Sequence, residues 1–144
     1  LGGIMSGMKA GLYYPTWPDM NGEAVPQVLL SASNWTVENF VDYDATLFMP
    51  AFIQLFHRTT AYVLTAVVLW FAYQGLKRAK TPHLRVGLYL LVSVLIIQVA
   101  LGILTVINCV GTVPVALGVY HQAGALLLLS AILYVDYQLL GKGY

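Results

Sequence analysis

Charged residues are scarce in this sequence: they make up 9% of the 144 residues, whereas hydrophobic residues make up 59%. An average soluble domain carries about 25% charged residues, so this chain has too few to cover a surface in water. Disordered chains are rich in charge and poor in apolar residues, which excludes disorder as well. The expected class is therefore an integral membrane protein. The net charge of +1 does not indicate nucleic-acid binding.

Cysteine is nearly absent. The single residue, Cys109, cannot form a disulfide within the chain, and no Cys-x-x-Cys-His motif is present. Covalent attachment of a c-type haem is therefore excluded. The sequence opens at Leu1 without an initiator Met, and we expect the chain to be a fragment of a longer protein.

Three hydrophobic stretches are long enough to cross a bilayer, which takes about 20 apolar residues in a helix. We expect transmembrane helices over residues 48–76, 86–107 and 113–139, because a lipid-exposed backbone must satisfy its hydrogen bonds internally. Residues 1–12 are apolar but too short to span, and we interpret them as the end of a truncated helix. Residues 13–47 form a polar segment between this helix end and the first span. The predicted fold class is an all-α membrane bundle.

The distribution of charge predicts the orientation of these helices. Basic residues crowd the link between the first two spans, and one more follows the third: Lys77, Arg78, Lys80, Arg85 and Lys142. By the positive-inside rule these ends face the cytoplasm or the mitochondrial matrix. The segment 13–47 holds five of the six acidic residues and is then on the outer side. Within it, residues 34–43 are spaced as a short amphipathic helix on the membrane surface.

Two of the three histidines, His57 and His121, lie inside predicted spans, whereas His83 lies in the basic link and is expected to be a solvated loop residue. Ionisable groups inside spans are costly and usually functional. Counted from the outer ends, His57 lies ~13 Å deep and His121 ~10 Å deep at 1.5 Å per helical residue. Two imidazoles at one level can provide both axial nitrogens of a haem iron in a helix bundle.

Small residues surround both histidines. Gly118, Gly124 and Ala125 share the helix face of His121, and Thr60 and Ala61 occupy equivalent positions near His57. We favour room for the edge of a porphyrin as the explanation. Close packing of membrane helices is the alternative.

Two other polar features have two interpretations each. Gln98, Gly102 and Thr105 form a stripe on the second span that faces the cofactor or joins helices. Arg58 can bind a haem propionate or extend its guanidinium to the membrane interface. Because of these positions, Arg58, Gln98 and Gly124 are predicted cofactor-binding residues beside His57 and His121.

At these residues the sequence resembles the heme A synthase family, and specifically the C-terminal half of that eight-span protein. The similarity lies in a series of short motifs whose order and spacing agree over nearly the whole chain. They are Gly7-Met8-Lys9-Ala10-Gly11-Leu12, Thr16-Trp17-Pro18-Asp19-Met20-Asn21-Gly22, Gln54-Leu55-Phe56-His57-Arg58, Gln98-Val99-Ala100-Leu101-Gly102-Ile103-Leu104-Thr105, Val113-Pro114-Val115-Ala116-Leu117 and His121-Gln122-Ala123-Gly124-Ala125.

The resemblance implies a membrane oxidoreductase that oxidises a porphyrin methyl group of haem O to the formyl group of haem A. It implies two similar four-helix halves, each with a histidine pair for a haem. The whole chain, 1–144, is then the C-terminal four-helix half, and His57 and His121 match the pair that holds haem b. The implied partners are haem O and haem A, the N-terminal half of the same protein, membrane lipid, an electron-transfer partner and a second copy of the protein. The outer segment has no cysteine, so the chain resembles the members without a disulfide there.

The resemblance also indicates what this piece lacks. In the N-terminal half, a glutamate implicated in catalysis lies three residues before the first histidine, and here that position is Gln54. An amide does not titrate and cannot act as a general base. No catalytic residue is therefore predicted within this chain.

Two other classes of function remain open. A non-catalytic membrane cytochrome of the b type would use the same two histidines for electron transfer. A transporter or assembly subunit would use them to relay protons or to join helices. A low-spin b-type absorption spectrum distinguishes the haem-binding functions from the transporter.

Overall fold

The computed structural model describes residues 1–140 and confirms the predicted all-α class, because these residues form helices and contain no β-strand. Lys142 lies outside the described residues. The helices, in chain order, are α1 (Gly2–Gly7), α2 (Gln27–Leu30), α3 (Val37–Val41), α4 (Phe48–Arg78), α5 (Pro82–Ile107) and α6 (Val115–Leu140). Single 3₁₀ turns form at Ala10–Leu12 and Ala32–Asn34.

The three long helices correspond to the three predicted spans, and each is long and apolar enough to cross a membrane. Their ends differ by up to four residues from the hydropathy-based prediction of 48–76, 86–107 and 113–139. The largest differences lie beside the basic residues: hydropathy ends the first span before Lys77 and begins the second after Arg85, whereas a helix stops where its backbone hydrogen bonds stop. Lys77 and Arg78 accordingly form the last turn of α4, where cations stabilise the helix dipole.

His83 lies in the first turn of α5, so the prediction that it is a loop residue is wrong. Pro82 begins this helix, a position that suits proline because its missing N–H is not needed there. His83 is exposed, as predicted for a solvated residue.

The apolar N-terminus is less regular than the single helix end expected over residues 1–12. Helix α1 ends at Gly7, and Lys9 adopts a left-handed backbone conformation with φ of 49° before the turn at Ala10–Leu12. A left-handed residue cannot continue a right-handed helix. The chain therefore turns here and continues into the outer segment, residues 13–47.

The chain divides into two compact units. The first unit comprises Leu1–Thr60 and Ile103–Val115, and the second comprises Ala61–Gly102 and the residues from Ala116 onward.

The core of the first unit joins the outer segment to the start of α4. Tyr14, Met20 and Leu29 are buried against Phe48 and Ala51. An aromatic cluster extends this core, in which Trp35 and Phe40 each approach Phe48 edge-on with ring centroids 5.2 Å apart. The amphipathic helix predicted within residues 34–43 is reduced to the five residues of α3, capped by the Thr36 side chain.

The core of the second unit consists of aliphatic side chains from all three long helices. Leu88 and Leu91 of α5 are almost fully buried, and they pack in one cluster with Ala72 of α4 and Val135 of α6. A Cβ on Gly75 would lie 2.9 Å from Leu88 Cδ1, so glycine lets α4 and α5 approach closely there.

Candidate functional site

His57 lies in α4, two turns after the helix enters the core of the first unit, and its side chain is half-buried. The next residue, Arg58, is almost fully buried at 9% exposure. A buried guanidinium must find hydrogen-bond acceptors, because desolvating its charge without them is very costly.

Arg58 finds its acceptors in the backbone of the outer segment. Its Nη2 donates to the carbonyl oxygens of Tyr14 at 3.0 Å and Thr16 at 2.8 Å, and its Nη1 donates to the carbonyl of Asp19 at 2.7 Å. The fork of guanidinium donors suits several acceptors at fixed positions. Arg58 therefore fastens residues 14–19 to α4, one residue from His57.

The motif Thr16–Gly22 folds into a tight turn that presents these carbonyls. Thr16 Oγ1 donates to Asp19 Oδ1 at 2.7 Å and accepts the N–H of Asn21 at 2.6 Å. The N–H of Gly22 donates to Asp19 Oδ1 at 3.1 Å. Asn21 and Gly22 take left-handed conformations with φ of 58° and 88°, which these two residue types tolerate best. We define these residues, with Tyr14, as the Arg58-bound turn.

Gln54 lies one helical turn before Arg58 and reaches the same carbonyl. Its Nε2 donates to the Tyr14 oxygen at 2.8 Å, and the side chain is 1% exposed. Its Oε1 is buried and has no hydrogen-bond partner among the described residues. A carboxylate at this position would place acceptors where Gln54 now donates, so the amide suits the first unit better than the glutamate that the resemblance places in the other half.

His121 is positioned by α5 in the second unit. A Cβ on Gly102 would lie 2.9 Å from His121 Cε1, so the imidazole occupies the space left by this glycine. Gln98 Nε2 donates to the backbone carbonyl of His121 at 2.9 Å. The ring is half-buried. Gln98 thus holds the backbone of His121, and Gly102 leaves the space that its ring occupies.

The glycines near His121 differ in what surrounds them. Gln98 Oε1 lies where a Cβ of Gly124 would be, so Gly124 makes room for the glutamine. A Cβ on Gly118 would meet no described atom within 4 Å. The face of α6 is therefore closed at Gly124 and open at Gly118, one turn before His121.

The predicted site residues fall into two groups. Gln54, His57 and Arg58 lie in the first unit, and Gln98, Gly102, His121 and Gly124 lie in the second. The described residues contain no group of three or more His, Cys, Asp or Glu side chains that could hold a metal ion. A haem iron takes its equatorial nitrogens from the porphyrin and only its axial ligands from the protein.

The Arg58-bound turn was not foreseen from the sequence as part of the site. The signal was present, because an arginine inside a span requires acceptors, and a Thr-x-x-Asp-x-x-Gly string predicts a turn with exposed carbonyls. The pairing of the two follows from tertiary structure. Cys109, to which no role was assigned, is buried, donates to the Thr105 carbonyl at 3.2 Å and lies against Gly11.

Residues 1–133 match the model of a protein family described as cytochrome oxidase assembly protein. The chain belongs to this family. It is 38% identical to a heme A synthase of Sinorhizobium medicae over 131 residues, which are 90% of this chain and 33% of that protein. It is 36% identical to a heme A synthase of Nitrosospira multiformis over 138 residues, 96% of this chain and 36% of that protein. The chain thus spans about a third of the length of these relatives, and no solved structure matches it.

The three long helices and the bacterial relatives together make this chain a multi-pass membrane protein of the bacterial cytoplasmic membrane. The resemblance to heme A synthases that the motifs indicated is confirmed by this family membership.

Replacing Arg58 with lysine is expected to destabilise the first unit. The ammonium has its donors on one nitrogen and cannot match three separated carbonyls, and each hydrogen bond to a charged group contributes about 1.5–3 kcal/mol. The thermal unfolding midpoint of the detergent-solubilised protein should fall, and protease cleavage within residues 14–22 should accelerate. Arg85→Lys, at an exposed position, is the control; equal midpoints for the two variants would contradict the role of Arg58.

Acid should loosen the Arg58-bound turn. The hydrogen bond from Thr16, the N–H of Gly22 and the charge of Arg58 lower the pKa of Asp19 below its ordinary value, against a smaller effect of burial. A lowered folded-state pKa means that the stabilisation is present above the unfolded pKa of about 4 and is lost as pH falls through the folded value. The difference in unfolding midpoint between the wild type and Asp19→Asn should be constant from pH 7 to pH 5.

Below about pH 4 this difference should shrink, because the wild-type carboxyl becomes neutral like the amide. A difference that grows on acidification would refute the assignment. Asp44→Asn removes the same charge from an exposed position of the outer segment, and at neutral pH it should shift the midpoint less than Asp19→Asn.

Proposed function

We propose that this chain is the haem-binding half of a membrane oxidoreductase that converts haem O to haem A, with His57 and His121 as the axial ligands of a haem b. The similarity to heme A synthases over 90% of the chain carries this proposal. Because the chain spans about a third of those proteins, we assign the complete reaction to a longer protein that includes a second, N-terminal half.

The two histidines suit this ligand set chemically. A neutral imidazole donates a nitrogen lone pair to iron, and histidine inside a membrane span is otherwise a costly residue. Bound haem supplies a one-electron redox centre. The work of the protein is to hold the imidazoles in orientation and to exclude water from the iron.

The setting of His121 supports a ligand role. Its ring lies over Gly102, its backbone is held by Gln98, and the adjoining face at Gly118 is open. A ring that is held in place beside an open helix face suits the role of a ligand to a flat cofactor better than the role of a residue that only joins helices. We therefore assign Gln98 to the positioning of His121, and Gly124 to making room for Gln98.

The setting of His57 supports the same role from the first unit. The Arg58-bound turn fixes the register of α4 at the neighbouring residue. The contact between Arg58 and a haem propionate stays a prediction. Its guanidinium already serves three carbonyls, so we propose that Arg58 acts first as a positioning residue for His57.

Gln54 supports placing the oxidation outside this chain. Its amide donates to Tyr14 and offers no titratable group next to His57. In this proposal the other half binds haem O and performs the oxidation, while the haem b bound here carries electrons or supports the fold. The remaining proposed partners are membrane lipid, an electron-transfer partner and a second copy of the protein.

Replacing either His57 or His121 with alanine should lower the haem content of the purified protein about tenfold or more, since even losing a group that orients a metal ligand costs 10–100-fold in affinity. The measurement is the reduced-minus-oxidised spectrum of the detergent-solubilised protein, normalised to protein. His83→Ala is the matched control, because His83 is exposed in the first turn of α5.

Haem content equal to wild type in either histidine variant would exclude that residue as a ligand. Absence of a b-type spectrum in the wild type itself would exclude both haem-binding functions and leave the transporter or assembly subunit.

Gln54→Ala should retain its haem but lose stability. The substitution removes one buried hydrogen bond to the Tyr14 carbonyl, a net loss of about 0.5–1.5 kcal/mol, because that oxygen keeps its hydrogen bond from Arg58. The spectrum and the unfolding midpoint, recorded on one preparation, separate the two effects. If haem disappears while the midpoint is unchanged, Gln54 belongs to the haem pocket and this part of the proposal is wrong.

A further inference from the structure

A groove of about 380 Å³ opens in the second unit where α4 ends, α5 begins and α6 ends. Its walls are formed by large apolar side chains: Trp70, Phe71, Leu84, Leu88 and Leu139. Grooves of this size hold small molecules or a large part of a lipid chain. We call this the basic-end groove, because the basic link between α4 and α5 adjoins it.

One end of the basic-end groove is polar. Arg78, the last residue of α4, lines it together with Gln74 one turn earlier. Arg78 is exposed and makes no side-chain hydrogen bond or ion pair with any described residue. The groove therefore combines an apolar wall with a cation whose charge is not neutralised within the described part of the chain.

The charge around the groove favours an anionic occupant. Three more basic residues lie near Arg78 in the chain: Lys77 in the last turn of α4, Lys80 between the helices and Arg85 in the first turn of α5. Asp136 is the single acidic residue of the second unit. Lys77 lies over the Tyr73 ring at 4.0 Å, so an aromatic residue of the membrane interface shares this end of α4. The positive-inside rule places this end at the cytoplasmic leaflet, which carries anionic lipids.

An anionic phospholipid matches both parts of the groove. Its phosphate can accept hydrogen bonds from the planar guanidinium of Arg78. Its acyl chain can cover Trp70, Phe71 and Leu139, which line the groove and are exposed. A free phosphate would leave the apolar wall exposed. A neutral isoprenoid would leave Arg78 without a counter-charge.

We propose that the basic-end groove is a binding site for an anionic phospholipid of the cytoplasmic leaflet, with Arg78 on its phosphate. This site lies wholly within the second unit and is independent of haem binding. It makes lipid a specific ligand of this chain as well as its solvent.

Native mass spectrometry of the detergent-solubilised protein tests the proposal. Dioleoylphosphatidylglycerol should form a saturable one-to-one adduct, whereas dioleoylphosphatidylcholine and glycerol 3-phosphate should bind at least fivefold more weakly. Arg78→Gln should weaken the phosphatidylglycerol adduct at least fivefold, because it removes the charge-assisted hydrogen bonds to the phosphate, and Arg78→Lys should restore part of it.

Arg85→Gln is the matched control. It removes the same charge from the first turn of α5, close to Arg78 in the chain, but Arg85 does not line the groove, so the effect should be less than twofold. Equal weakening by Arg78→Gln and Arg85→Gln would show general attraction to the basic link and overturn the site. Equal binding of both lipids, or binding of glycerol 3-phosphate as tight as that of phosphatidylglycerol, would overturn it as well.

Discussion

The arrangement of the first unit depends on one buried cation. Arg58 enters the apolar environment of α4, and its guanidinium is stable there because three backbone carbonyls of residues 14–19 accept its hydrogen bonds. If the outer segment left α4, the buried guanidinium would therefore lose its hydrogen-bond acceptors. Tyr14 and Met20 are buried in the same region. The hydrogen bonds of Arg58 and the burial of apolar side chains therefore hold the same stretch of chain next to His57.

The second unit places its histidine by a different means. Gly102 leaves space that the His121 ring fills, and Gln98 binds the backbone of the same residue. No charge is involved here, because the missing side chain of Gly102 and the amide of Gln98 define the position of His121. In membranes, where lipid is as apolar as the helices, small residues and interhelical hydrogen bonds are the usual means of packing. A histidine held in this way has its ring orientation set by the protein, as an axial ligand requires.

The sequence predicted the helical spans because hydrophobic length is a direct consequence of bilayer thickness. It predicted the start of α4 at Phe48 and the end of α5 at Ile107, but not the start of α5, since Pro82 begins this helix among basic residues that hydropathy excludes. The stripe of Gln98 and Gly102 left two interpretations open, and the hydrogen bond from Gln98 to His121 shows that it joins α5 to α6. The sequence also did not predict the backbone carbonyls that bind Arg58, and its contact with a propionate stays a prediction.

What the sequence alone determined is the class of protein, its three spans and the motifs of its family, while the orientation of the spans stays a prediction. These properties follow from composition and from periodic or local patterns, which a single segment carries by itself. Only the tertiary structure decided which acceptors satisfy Arg58, what fills the space at Gly102 and where apolar walls meet Arg78. Each of these depends on contacts between residues far apart in the chain, such as Tyr14 and Arg58. The energy of such a contact depends on both segments, so neither segment predicts it alone.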